Sequence, residues 1–134
     1  MDLKQIYYDL GNAVKGICDV VIARNRPNTV DKRYDNFIVV SLPYTIRNNE
    51  ISDDGSYNDY STTVQISIYT RNRVSSSLGN CTDLDAMDEK LERVLSVFPI
   101  RTPRIIVTKP KVILQTDDGD GFDITMIQGR LRTR

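Results

Sequence analysis

Three groups of residues in this 134-residue chain have the types and spacing to bind or react. Asp117-Asp118-Gly119-Asp120-Gly121 is an oxygen-rich run of the kind that holds calcium. An EF-hand loop needs oxygen ligands at alternating positions and a bidentate Glu at the twelfth. Counted from Asp117, the third position is Gly119, the fifth Gly121 and the twelfth Gln128. The calcium pattern fails, and the segment reads as a hairpin turn. Asp53-Asp54-Gly55-Ser56 forms a second acidic corner, best explained as a solvated loop. Arg130, Arg132 and Arg134 alternate along a predicted last strand and so point to one side of it.

Catalysis has little to work with. The chain has no histidine, which removes Ser-His and Cys-His nucleophile pairs, HExxH zinc sites and any histidine proton shuttle. A carboxylate pair needs burial or like-charge crowding to split its pKa values. Every acidic cluster here falls in a predicted turn or on the polar face of a helix. Gly79-Asn80 and Gly119-Asp120-Gly121 lack the contexts that cradle phosphates, and Ser75-Ser76-Ser77 has no base to activate it. No enzyme activity, cofactor or metal is expected. Cys18 and Cys81 stand 63 positions apart without CxxC spacing and read as reduced, buried thiols. The Asn80-Cys81-Thr82 sequon reads as accidental.

Charge is balanced in total but not along the chain. Lys plus Arg and Asp plus Glu each number 18, for a net charge of zero, which counts against a free-standing nucleic-acid binder. Residues 1–98 carry 11 basic and 14 acidic side chains, and residues 99–134 carry 7 and 4. A basic face on the last strand could meet nucleic acid, an acidic partner surface or a neighbouring subunit. Equally, it could be a solvated strand whose charges discourage edge pairing. No aromatic pair has the stacking signature of an RNA-recognition sheet. The apolar stretches are far shorter than the roughly 20 residues of a membrane helix, and Met1-Asp2-Leu3-Lys4-Gln5-Ile6 lacks a signal-peptide layout. Neither a membrane segment nor export is expected.

The elements that would position these residues are legible. Leu3, Ile6, Leu10, Val14 and Ile17 recur at helical spacing, with Asp2 at the start, Gly11 weakening the middle and Gly16 as terminator. Val20-Val21-Ile22-Ala23 is a short strand or a helix tail, and Asn25 to Asp35 a loop. Asn36 to Ile46 reads as a strand, with Pro43 marking an edge or bend. Arg47 to Tyr60 reads as a long polar loop suited to partner contacts. Ser61 to Thr70 alternates, with Thr62, Val64, Ile66 and Ile68 on one face. A second helix is capped by Thr82 and Asp85, carries Leu84, Met87, Leu91, Val94, Leu95 and Phe98 on one stripe, and stops at Pro99. Arg104 to Leu114 and Phe122 to Leu131 form a last hairpin, with an edge or bulge at Pro110 and a bulge near Met126 where the apolar phase slips. The order predicts a single α+β domain over 1–134: an antiparallel sheet of four or five strands with two helices packed on one face.

At Asp35-Asn36-Phe37-Ile38-Val39-Val40-Ser41-Leu42-Pro43 the chain begins to resemble a known family. An N-terminal helix and a strand ending in Leu-Pro precede Val64-Gln65-Ile66-Ser67-Ile68-Tyr69, a helix ending in Phe98-Pro99 and a final hairpin. In size, element order and these phrases, nearly the whole chain resembles the tail-terminator and tail-completion proteins of tailed bacteriophages, which include head-to-tail joining proteins. The resemblance implies a non-enzymatic virion subunit, assembled in the host cytoplasm as a hexameric or dodecameric ring. Such a ring caps the tail tube, docks to the connector on the head side and leaves a channel for DNA without sequence-specific binding. Alternatives are a generic interaction module of another assembly or a small nucleic-acid-binding domain. The candidate partner-interface residues are Asp53, Asp54, Tyr57, Asp59, Arg130, Arg132 and Arg134.

Overall fold

The computed structural model of the protein describes residues 2–22, 35–51, 55, 57–119 and 121–134. Helix α1 spans Leu3–Val14, and the Asp2 carboxylate caps it by accepting the Gln5 amide at 3.1 Å. Strands β1 (Asp19–Ile22), β2 (Asn36–Ser41), β3 (Arg47–Ile51) and β4 (Tyr57–Arg71) follow. A small hairpin of β5 (Arg73–Ser75) and β6 (Gly79–Cys81) leads to helix α2 (Leu84–Leu95). The chain ends with β7 (Ile100–Arg101), β8 (Ile105–Asp117) and β9 (Phe122–Thr133).

Two helices lie on a strand-rich sheet, as the α+β reading requires, but the sheet is larger than four or five strands. Among the described residues it has seven, in the order β1-β2-β4-β9-β8-β7, with β3 also on β4. It is mixed rather than antiparallel, because β1 pairs in parallel with β2. The expected loop from Asn25 to Asp35 lies, but for Asp35, outside the described residues, and the number of residues between Ile22 and Asn36 is that which a parallel pairing requires. The expected strand Asn36 to Ile46 is broken by a bend holding Pro43, and β2 and β3 then share one edge of β4. The segment Arg47 to Tyr60 is therefore not a single loop. Arg47 pairs with Ser61 and Ile51 with Tyr57, because ladder hydrogen bonds come from the backbone and accept polar side chains on an exposed edge.

The face beneath the helices is closed by aliphatic side chains. Ile6, Leu10 and Val14 of α1 and Val94 of α2 meet Ile38, Val40, Val64, Ile66, Ile68, Ile127 and Leu131. Leu91, Leu95 and Phe98 pack against this cluster, but Leu84 is 70% exposed, since only the C-terminal half of α2 reaches the sheet. Leu3 is likewise exposed at the start of α1. The cap of α2 is Asp83 rather than Thr82, its carboxylate accepting the Ala86 amide at 3.1 Å. That hydrogen bond, with Arg73 alongside at 3.2 Å, holds the Asp83 carboxyl below its ordinary value.

Strand β9 carries no bulge at Met126. It stays in unbroken register with β4 from Ser61↔Arg132 to Arg71↔Phe122. The apolar phase slips because the strand's two ends are buried on opposite faces. Ile127 and Leu131 join the cluster under the helices, while Phe122 and Ile124 join Phe37, Val39 and Tyr69 on the other face. The irregularities lie in β8, and the one between Thr108 and Lys111 is centred on Lys109-Pro110, where Pro110 marked it.

Candidate functional site

The open face of the sheet, opposite the helices, has two unlike ends. At one end Phe37 stacks on Tyr69 with ring centroids 4.6 Å apart, and Phe122 meets Phe37 edge-on at 5.2 Å. The Arg71 guanidinium lies 4.6 Å from the Phe122 ring centroid. In the middle, Gln128 donates to the Gln65 side-chain oxygen at 3.1 Å and to the Tyr44 hydroxyl at 3.4 Å.

The other end is a shallow groove of about 640 Å³, and four cationic side chains line it: Arg47, Lys109, Arg130 and Arg132. Register explains their convergence. Arg130 on β9 sits between Thr63 of β4 and Thr108 of β8, and Arg132 sits opposite Ser61, whose other neighbour is Arg47 of β3. Alternate residues of paired strands share a face, so these side chains emerge on the side away from the helices. Lys109 is added by the β8 bulge, where its φ is 54°, a left-handed conformation uncommon outside glycine. Opposite the bulge, Gly129 faces the helix layer. A Cβ there would lie 2.8 Å from Val107 Cγ1 and 3.0 Å from Phe98 Cε1, so β9 approaches this packing only without a side chain.

The structure brings some predicted site residues together and separates others. Asp59 and Arg132 form an ion pair at 3.4 Å, and Asp59 also accepts the Thr133 hydroxyl at 3.1 Å. Arg130 is exposed and makes no ion pair among the described residues. Arg134 lies just past the end of β9: its amide still donates to the Arg104 carbonyl at 2.9 Å, but its guanidinium turns away to donate to the Thr102 carbonyl at 3.0 Å. The three arginines therefore do not form one row. Tyr57 opens β4 opposite Ile51, and Asp53 and Asp54 lie outside the described residues. Sequence reasoning missed Arg47, hidden in a presumed loop, and Lys109, although the Pro110 signal stood beside it.

A second charged constellation is structural. Asp9 of α1 accepts from Arg104 at 3.1 Å and from the Thr102 hydroxyl at 2.9 Å, tying the helix to the turn before β8. Burial pushes the Asp9 carboxyl up, but hydrogen bonds from Arg104, Thr102 and Gln5 outweigh it and hold the group below its ordinary value. Cys18 and Cys81 are free and half-buried rather than buried, and burial pushes the Cys18 thiol up to about 11.

Chemically, the groove presents charged donors from Arg and Lys together with hydroxyls of Ser61, Thr63 and Thr108. None of the described residues lining it carries a carboxylate. Such a lining accepts anionic oxygens, as carboxylate or phosphate. Compared with known protein families the sequence matches no family model, and no curated protein is significantly similar to it. Among the described residues, no helix is long and apolar enough to cross a membrane.

Proposed function

We propose that this chain is a structural subunit of a closed ring at the head–tail junction of a tailed bacteriophage, of the tail-terminator or tail-completion type. In this reading it is a virion protein and not an enzyme. It assembles in the host cytoplasm as a hexamer or dodecamer, caps the tail tube, docks to the head connector and surrounds the DNA channel. The observation that carries the reading is the division of the sheet. Helices close one face, while the other keeps an exposed polar end across β3, β4, β9 and β8. Beyond Val107, β8 has a partner on one side only among the described residues, and Val112 and Leu114 are exposed along it. Exposed sheet surfaces and edges invite pairing, and a rotationally closed assembly covers them between unlike patches of adjacent subunits. The order of helix, strands, helix and final hairpin agrees with the family resemblance.

The test is an electron-microscopy reconstruction of the particle. Density for this chain as one annulus around the axial channel is the expected result. A chain found as free monomer in infected cells and missing from purified virions defeats the reading.

A further inference from the structure

We propose that the basic groove is the receptor for the acidic β8–β9 turn of a second copy of this chain. The inference rests on the ring reading for its biological setting, but its physical grounds are separate. The groove gathers Arg47, Lys109, Arg130 and Arg132, of which Arg132 is already paired with Asp59 at 3.4 Å, and none of its described lining residues carries a carboxylate. The opposite end of the same sheet is acidic. The turn between β8 and β9 carries Asp117, Asp118 and Asp120 in sequence, and exposed Asp35 lies at that end as well, beside Arg71. Arg71, the cation on the adjoining end of β4, is drawn to Asp35 at 3.7 Å and to the Phe122 ring.

The two ends cannot meet within one molecule. Eight residue steps of a continuous strand separate Phe122 from Arg130, about 26 Å at roughly 3.3 Å per residue. The acidic turn must therefore find its groove on another copy, head to tail. Gly119 and Gly121 have positive φ, the backbone of a tight turn, and add no side chains to obstruct entry. Opposite patches on a chain of zero net charge favour this occupant over a nucleic acid, which would have to bind a neutral protein. Because patch and receptor differ, the contact is heterologous and propagates into a ring or filament.

The experiment is sedimentation velocity of the full chain at millimolar concentration, in low and high salt. The wild-type chain should self-associate, and less so as salt shortens the range of charge interactions. The groove variant Lys109→Glu/Arg130→Glu and the turn variant Asp117→Lys should each weaken association by about ten-fold or more. Asp118 is left in place because it accepts the Phe122 amide at 3.1 Å. Because Asp117 accepts the Gly119 amide at 2.7 Å, a second turn variant, Asp117→Asn, keeps that acceptor, removes only the charge and should weaken association in the same direction. Unchanged circular dichroism serves as the folding control for each variant. Mixed together, the two charge-reversed variants should form dimers and stop there, since each retains one working patch.

A wild-type chain that stays monomeric overturns the inference. So does a groove variant that associates normally, a mixture that forms no dimer, or a groove variant that loses only duplex-DNA binding. The ring reading fails separately: a virion annulus that tolerates both variants sinks the docking contact alone. A charge-dependent oligomer absent from virions sinks the ring alone.

Discussion

The two faces of this sheet are built from the same strands and held by different means. Under the helices, aliphatic side chains from both layers interlock, and the cluster runs from Ile6 to Leu131. The open face buries aromatic rings at one end and ends in cations at the other. A strand such as β9 serves both, with Ile127 and Leu131 turned to one side and Phe122 and Arg130 to the other. The difference teaches that burial on the open face is local: three rings close a small core, while the groove stays wet and charged. One face is committed to folding. The other divides its length between a small aromatic core and an exposed basic groove.

The largest effects should come from the two cores. Leu10→Ala on the helix face should cost about 2–5 kcal/mol, and Phe37→Ala on the open face about 3–5 kcal/mol, read by urea denaturation. A cost for Phe37→Ala below about 1 kcal/mol would mean that the aromatic end contributes little as a core, and the comparison would collapse to one structural face. Gly129→Ala should cost about 1–3 kcal/mol, because the new methyl presses on Val107 and Phe98 from within the sheet. A neutral result would show that the packing around Phe98 yields freely.

A smaller, pH-dependent effect belongs to the helix face. The Asp9 carboxyl is held below its ordinary value in the folded chain, so its contribution is present above the unfolded pKa. That contribution is lost as pH falls through the folded pKa, below about pH 4. Thermal midpoints of wild type and Asp9→Asn should therefore differ at neutral pH and converge in acid. Curves that stay parallel would remove Asp9 from the clamp. The smallest stability effect should come from the groove. Arg130→Glu should change unfolding free energy by no more than about 0.5 kcal/mol, as at other exposed positions without a structural partner. A large loss there would make the groove part of the fold rather than a surface for contact.

Much of the helix face was legible in the sequence. The spacing of Ile6, Leu10 and Val14 and the alternation of Val64, Ile66 and Ile68 identify residues that share a side, because helices and strands repeat at fixed periods. The bend at Pro43, the bulge at Pro110 and the turn at Asp117-Asp118 were readable for the same local reason: proline lacks a donor, and Asp and Gly suit tight turns. The site was less legible. Arg130 and Arg132 were found from their alternation, but Arg134 was misplaced because a period says nothing about where a strand stops.

Sequence by itself thus determined which residues would be neighbours along each element and which would turn the same way. Tertiary structure decided what lay across from them. It made β1 parallel, turned Arg47 to Ile51 into a paired strand, and buried the two ends of β9 on opposite faces. It also drew Arg47 and Lys109 into one groove with Arg130. The physical reason is range: side-chain periodicity is fixed by local backbone geometry, whereas pairing and burial depend on segments distant in sequence, whose backbone hydrogen bonds are indifferent to side-chain identity.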